Sequence, residues 1–547
     1  MQPDYQHLKF PYQRPPDFGH TPPAHVPVVV IGAGPVGMAA AIDLARQGVR
    51  VIVLDDDDCL SVGSRALCYA KRTLEIFDRL GCGEAVVNKG VSWNVGKVFF
   101  RDEPVYSFNL LPETGHRRPA FVNLQQYYLE GYLFEAAQKC ELLEIRWKNK
   151  VTNVSQKSDH VEISIETPEG EYALNDDYAI AADGARSPVR SYLGLESKGR
   201  VFRDRFLIAD VKMKAAFPAE RWFWFDPPFH PNQSVLLHRE ADDVWRIDFQ
   251  LGWDADPEQE KKPENVIPRV RALLGEGVDF DLEWVSVYTF ACMRMEKFRH
   301  GRVFFAGDAA HGVSPFGARG ANSGVQDADN LCWKLALVLR GEASDALLDT
   351  YGEERELAAD ENILNSTRST DFITPKNHAS RIFRDAVLSL AKEHPFARRL
   401  VNSGRLSLPS TYRTSSLNTA DIESFEGDMC PGAPASDAPI LRATGEQDWF
   451  VPLLGEQFCV VIFTDDYREV DDFPGLNIWQ VLPSGAIGTH HQKKVVIDCE
   501  GLLAKRYDAR SGTTYLFRPD QHVAARWHQF DKKNIQAAVL RARGQGG

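Results

Sequence analysis

The alternation of apolar and polar positions changes character several times along the 547 residues. After a first stretch without apolar periodicity, Val28-Val29-Val30-Ile31 forms a short β-branched run suited to a parallel strand buried on both faces. An Ala-rich segment from Met38 to Gln47 has helical character and is closed by Gly48, and Val49 to Leu54 makes a second strand-like run. Together these are a βαβ unit. Residues 65–90 read as helical around Leu74, Ile76, Phe77 and Leu80, and a further helix is expected over 120–140 with Asn123 as its N-cap. Strand-like segments alternate over 145–182 and end in Tyr178-Ala179-Ile180-Ala181-Ala182. From about 200 to 295 the chain is strand-rich and aromatic, with Trp222, Phe223, Trp224, Phe225, Trp245 and Trp284. Helical character returns after Gly320 and dominates to about 400. Residues 405–450 are rich in Ser, Thr, Pro and Asp, and the final hundred residues return to short elements, including Phe458 to Phe463, Val495 to Asp498 and a last helix from about 531.

Composition narrows the class. A chain this long exceeds one hydrophobic core, so two or three domains are expected. Its 44% hydrophobic and 25% charged residues are those of a soluble globular protein. A net charge of −13 argues against nucleic acid or an anionic membrane surface as the main partner. The nine cysteines are scattered with no C-x-x-C, which fits reduced thiols in a cytoplasmic protein and neither a disulfide framework nor a metal site. No apolar run reaches the ~18 residues that a membrane span needs. Residues 1–27 hold seven prolines and no apolar core of a secretory signal, so they read as an extended arm on the surface or disordered.

Three separated motifs carry chemistry. The first is Gly32-x-Gly34-x-x-Gly37, followed by Asp55 at the end of the second strand. Gly32 permits the tight turn, Gly34 lets the backbone approach a pyrophosphate, and Gly37 allows close helix–strand packing. A phosphate there meets free N–H groups and the positive end of a helix dipole, while Asp55 can accept hydrogen bonds from a ribose diol. This turn alone does not separate FAD from NAD. The second motif is Asp183-Gly184-x-x-Ser187-x-x-Arg190. The third runs from the strand Arg302 to Phe305 through Gly307-Asp308, then Pro315-Phe316-Gly317-Ala318-Arg319-Gly320-Ala321-Asn322 into a helix.

At these residues the chain resembles the group A flavoprotein aromatic hydroxylases, built on the para-hydroxybenzoate hydroxylase fold, over roughly residues 26–370. The resemblance implies an α/β fold: a Rossmann-like FAD domain over 27–200 and 296–400, discontinuous because a β-sheet substrate domain (201–295) is inserted. An arm (1–26) would precede it, and a linker (401–429) would lead to a domain over 430–547. That last domain resembles the thioredoxin-like domain of phenol hydroxylase and hydroxyphenylpropionate hydroxylase relatives, but Cys430, Cys459 and Cys499 stand alone, so a structural or oligomeric role is expected.

For the site, the resemblance implies that Asp308 holds the ribityl chain of FAD, and that Arg65 and Gln126 lie along the cofactor. It also implies that the Asp183–Arg190 motif touches the FAD and NAD(P)H regions. Gly307 and the Gly320-Ala321-Asn322 helix start would face the flavin, the helix dipole stabilising negative charge on its reduced ring. No second Gly-rich βαβ turn exists for a nicotinamide, which suits NADH or NADPH as a transient co-substrate. The implied chemistry is hydroxylation of a phenolic ring with O2 through a flavin C4a-hydroperoxide, with Pro315 bordering the oxygen site. A homodimer is also implied.

The substrate pocket should lie under the sheet of residues 200–295. A base or relay is needed near the phenol hydroxyl, and His238, Arg246, Tyr288 and Arg294 are candidates by position alone. Trp222-Phe223-Trp224-Phe225-Asp226-Pro227 superficially resembles the W-x-W-x-I-P segment of flavin-dependent halogenases, but Asp226 stands in the fifth position and an aromatic strand is the simpler reading. Three alternatives stay open: a halogenase, a polyketide-ring hydroxylase, and a flavin-binding interaction protein with vestigial turnover.

Overall fold

The computed structural model describes residues 5–546 apart from 62, 64, 65, 216, 276, 402–406, 471–472 and 487–493. Its first sheet runs Arg299–His300, Val303–Phe305, Gly170–Ala181, Ala24–Ile31, Val51–Asp55, Leu143–Trp147. The last five of these pair in parallel. The Val28–Ile31 run is buried throughout: it is paired on both edges within the sheet, and the helix Pro35–Arg46, itself packed on Gly320–Leu339, lies against it.

Several boundaries differ from the periodicity. Asn123 ends the strand Phe121–Asn123, and the expected helix begins at Gln126 after extended Gln125. The Asn123 side chain accepts from Trp93 Nε1 at 2.8 Å and donates to the Arg239 carbonyl at 2.9 Å, so it ties the two main domains together rather than capping a helix. The apolar stretch 65–90 divides into the strand Cys68–Ala70 and the helices Lys71–Leu80 and Gly83–Lys89, broken where Gly81 takes a left-handed conformation. The N-terminal arm is anchored from residue 5 onward. Phe10 stacks on Trp147 at 4.3 Å, and buried Asp17 accepts two bonds from Arg146 at 2.8 and 2.9 Å.

A second, eight-stranded sheet has the order His311–Gly312, Asp281–Met295, Ser197–Lys212, Val244–Leu251, Ser234–Arg239, Arg221–Phe225, Val95–Phe100, Glu103–Asn109. It therefore recruits two strands from the 95–109 hairpin in addition to the aromatic segment. Its outer face carries Leu207, Ala209, Val235, Leu237, Ile247 and Phe249 and is closed by Val266 and Val270 of the helix Pro263–Leu274. Its inner face looks toward the first domain.

The C-terminal part forms a mixed seven-stranded sheet with a final helix, Lys532–Ala542. It shares a core with the helix Gly320–Leu339: Trp333 and Leu337 pack with Phe458, Leu516 and Ile535. Residues 407–438 thread through this junction, with Tyr412 and Leu417 buried. Among the described residues, no helix is long and apolar enough to cross a membrane.

Candidate active site

Parallel strands end on one edge of their sheet, so the three motifs converge although they lie far apart in the chain. Gly32 N–H donates to the Leu54 carbonyl at 2.8 Å, Ala182 N–H to Ile31 at 2.8 Å, and Ala306 N–H to Ala181 at 3.0 Å. Gly32 has φ +106°, and a Cβ there would lie 2.5 Å from the Ala182 oxygen. A Cβ on Gly37 would lie 1.9 Å from the Gly32 oxygen, so the helix can approach the turn only without a side chain. Gly34 differs: a Cβ would meet nothing within 4 Å. The helix behind it, with Pro35 in its first turn, has no side-chain cap on its N–H groups. A pyrophosphate fits that open space and those donors.

Around this edge the other acids are placed as follows. Asp55 accepts from Ala33 N–H at 2.6 Å and Asp57 N–H at 2.9 Å, and burial pushes its carboxyl up to about 6. Asp183 accepts from Ser187 Oγ at 2.8 Å and Val189 N–H at 3.1 Å, which knits its motif into a tight turn. Arg190 of that motif donates to the Ala309 carbonyl at 2.8 Å, linking the second motif to the third. Asp308 lies exposed on the single turn Gly307–Ala309 beside the glycine turn, reached by any ligand lying along the edge. Gln126 is buried: its Oε1 accepts from Ala66 N–H at 2.9 Å and its Nε2 donates to Glu130 at 2.7 Å, so it ties Ala66 to its own helix. Asn322 joins its helix to the Cys68–Ala70 strand, accepting from Ala70 N–H at 2.8 Å and donating to the Cys68 carbonyl at 2.8 Å. Gly320 and Ala321 are half-buried at the start of that helix, whose N–H groups receive no capping bond from the side chain of its N-cap residue. Arg65 falls outside the described residues.

The third motif then turns to the second sheet. Pro315 is exposed, while Phe316 packs against Phe206 at 4.7 Å and Phe290 at 5.6 Å on the inner face. Phe223, Phe225 and Leu236 complete an aromatic and aliphatic wall there. Ile208, Asp248, Trp284, Ser286 and Tyr288 keep partial exposure on the same face, although the outer-face residues between them on Ser197–Lys212 and Val244–Leu251 are buried. The inner face is therefore accessible along these residues and closed where Phe316 covers Phe206 and Phe290.

One end of this face is polar. His238 is fully buried, with Nε2 3.4 Å from Asp248 Oδ2 and Nδ1 3.9 Å from Cys68 Sγ. Desolvation, reinforced by the nearby Arg221 charge, lowers the imidazole to about 4, so it is neutral and a weak base. Arg246 is held by Asp210 through two 2.7 Å bonds and lies 3.3 Å from Glu240, so its charge is neutralised within the sheet. Tyr288 is 39% exposed at the open side. Arg294 binds Asp360 at 2.5 and 2.8 Å at the far end of its strand, which removes it from the candidates for a phenol base. Asp248 and Arg221 were not singled out from the sequence. For Asp248 a signal existed: Trp245-Arg246-Ile247-Asp248-Phe249-Gln250 alternates strictly, placing three polar residues on one face. For Arg221 there was none.

Residues 25–366 match the family model described as FAD binding domain. Over 529 residues the chain is 27% identical to a 3-(3-hydroxy-phenyl)propionate/3-hydroxycinnamic acid hydroxylase of Mycolicibacterium smegmatis, covering 92% of this chain and 90% of that protein. Its fold is similar to that of the flavin-dependent monooxygenase PieE, crystallised with FAD and substrate, at a TM-score of 0.80 and 22% identity over 95% of this chain and 99% of that one. It is also similar to a p-nitrophenol 4-monooxygenase from Pseudomonas putida, at a TM-score of 0.62 and 25% identity over 70% of this chain and 100% of that one.

Proposed function

Because the chain belongs to the FAD binding domain family, we propose that it is a monooxygenase that hydroxylates a phenolic ring, with NADH or NADPH as transient reductant and O2 as the oxygen source. The observation that carries this reading is the placement of Phe316. The segment that carries Gly307–Asp308 at the FAD-side edge runs on to Phe316, which packs against Phe206 and Phe290 of the second sheet, so one stretch of chain joins the cofactor edge to the aromatic wall. Bound FAD supplies the oxygen activation that aromatic hydroxylation needs.

The protein's own residues do the rest. The Gly32–Gly37 turn and the helix behind it hold the pyrophosphate, Asp55 the ribose, and Asp308 the ribityl hydroxyls. The aromatic wall excludes water and orients a flat ring. Asp248, which neighbouring His238, Arg246 and Arg221 hold below the usual carboxylate range, is an ionised acceptor for a phenolic hydroxyl. Likeness to hydroxyphenylpropionate hydroxylases along most of the chain favours a phenol bearing a short acidic side chain. A homodimer and a cytoplasmic location belong to the same reading.

The test mixes FAD-loaded protein with NADH or NADPH, with and without 3-(3-hydroxyphenyl)propionate, p-nitrophenol and other phenols. Pyridine nucleotide oxidation and incorporation of labelled O2 are followed. Stimulated oxidation with one labelled oxygen in the product is expected. A halide-dependent product would replace this reading with a halogenase, and the absence of any stimulation with a flavin-binding interaction protein.

A further inference from the structure

We propose that the solvent-facing side of the helix His378–Ala391 is the contact surface of a homodimer, in which two copies of this helix pack antiparallel about a two-fold axis at Ala386. The helix opens on a capping box between Asn377 and Ser380 and carries two apolar stripes. In the first, Val387, Leu388 and Ala391 are buried and join Val98, Phe225 and Phe372 at the end of the second sheet formed by the 95–109 hairpin. The second, Ala379, Ile382, Phe383, Ala386 and Leu390, repeats at helical spacing on the solvent side. Ile382 is 55%, Phe383 57% and Leu390 44% exposed. The helix Pro395–Val401, packed against the first, adds Phe396 at 60% and Leu400 at 49%. A helix that is apolar on all sides is ordinarily a buried helix. This one is covered by its own chain on one side only.

Single exposed apolar residues are ordinary, but a cluster of them marks a contact. Large apolar side chains present roughly 150–250 Å² each, so five half-exposed ones supply on the order of 500 Å², the upper end of what a monomer shows. Interfaces are roughly 60% apolar, so this patch matches one side, about 800 Å², of a standard specific interface. The residue order identifies the occupant as a second copy. About Ala386 the stripe is self-complementary: antiparallel pairing sets Ile382 of each copy against Leu390 of the other, and His378 against Glu393. Both His378 and Glu393 are exposed, and neither has an ion pair of its own among the described residues. Ala386 meets its counterpart at the axis, where a small side chain lets the two helices approach closely.

A lipid surface fits the same patch less well. The chain carries a net charge of −13, and Asp385 and Glu393 interrupt the basic rim that an anionic membrane needs. A two-copy contact needs no excess of charge, because each end of one helix supplies what the other end lacks. No residue of this face belongs to the cofactor edge or the aromatic wall, so the proposal stands or falls apart from the hydroxylase reading.

Sedimentation velocity of the FAD-loaded full chain over a dilution series decides the matter. The wild type should run at twice the chain mass and dissociate only on dilution. Ala386→Glu and Ala386→Lys place good helix formers at an exposed position, so fold and flavin content should hold. Each sets like charges against one another across the axis and should weaken association by about a hundredfold or more. Mixing the two variants should restore a dimer, because Glu then faces Lys. Phe383→Ser, a second exposed change, should by itself weaken association by about tenfold, and it carries the test if the Ala386 variants do not fold. A wild type that is monomeric at every concentration overturns the proposal, and its co-sedimentation with phosphatidylcholine–phosphatidylglycerol vesicles would give the face to a lipid surface instead. Variants that associate as tightly as the wild type overturn it as well, as do monomeric Ala386 variants that do not recover on mixing.

Discussion

Arg355 and Asp327 meet at 2.6 Å with neither side chain exposed. Asp327 uses its other oxygen to accept the Gly307 N–H at 2.9 Å and His311 Nε2 at 2.7 Å. Arg355 reaches the other way and donates to Tyr412 Oη at 2.6 Å, in the segment leading to the C-terminal domain. The adjacent Glu354 accepts from Lys334 at 2.9 Å and pairs with Arg518. The turn that carries Asp308 is thus braced, through two helices, by residues that a truncated chain would lack.

Arg355→Ala should strip buried Asp327 of its guanidinium partner, leaving Gly307 N–H and His311 alone to hold it, and cost about 3–5 kcal/mol of stability. Denaturant unfolding would report it, and the loosened Gly307 turn should also lower the flavin-to-protein ratio of the purified variant. Unchanged stability would show that the brace is not under load.

Gly34 and Gly37 should separate folding from cofactor binding. Gly34→Ala places its methyl in open space, so the thermal transition should stay near that of the parent while FAD affinity falls because the backbone can no longer meet a pyrophosphate. Gly37→Ala drives its methyl into the Gly32 carbonyl and should reduce folding itself. Normal FAD content in Gly34→Ala would argue against the pyrophosphate placement.

Asp308→Ala removes an exposed carboxylate from the sheet edge. The variant should remain soluble and folded by circular dichroism yet lose most of its bound FAD. Full flavin occupancy would take away the ribityl role.

Acid should destabilise the protein through His238. The folded imidazole titrates at about 4, against about 6.5 in the unfolded chain. Between these values the unfolded state takes up the proton and the folded state does not. Stability from this group is therefore complete above about pH 6.5 and falls as pH drops toward 4, by up to ~3 kcal/mol. Asp55, raised to about 6, acts in the opposite sense over part of this window, so the comparison is with His238→Asn, whose stability should fall less steeply between pH 6.5 and 4. Parallel profiles would count against a neutral buried imidazole.

The cofactor edge was legible in the sequence because its requirements are local. A turn that admits no side chain at Gly32 or Gly37, a β-branched run before it and an acid after the next strand are constraints within thirty residues, and each residue type follows from the backbone it must adopt. The helix starting at Gly320 was legible for the same reason. What the tertiary structure decided was partnership across distance. Asn123 reads as a helix cap until the neighbouring strand shows it binding Trp93 and Arg239. His238, Arg246 and Arg294 are alike as candidates until strand register gives one a carboxylate at its back, another an internal ion pair and the third a surface partner. Alternation along Val244–Leu251 marks which residues share a face, but not what packs against that face. Register between strands separated by many residues depends on the whole packed sheet, and so Arg221, ordinary in the sequence, stands out only because no carboxylate among the described residues pairs with it.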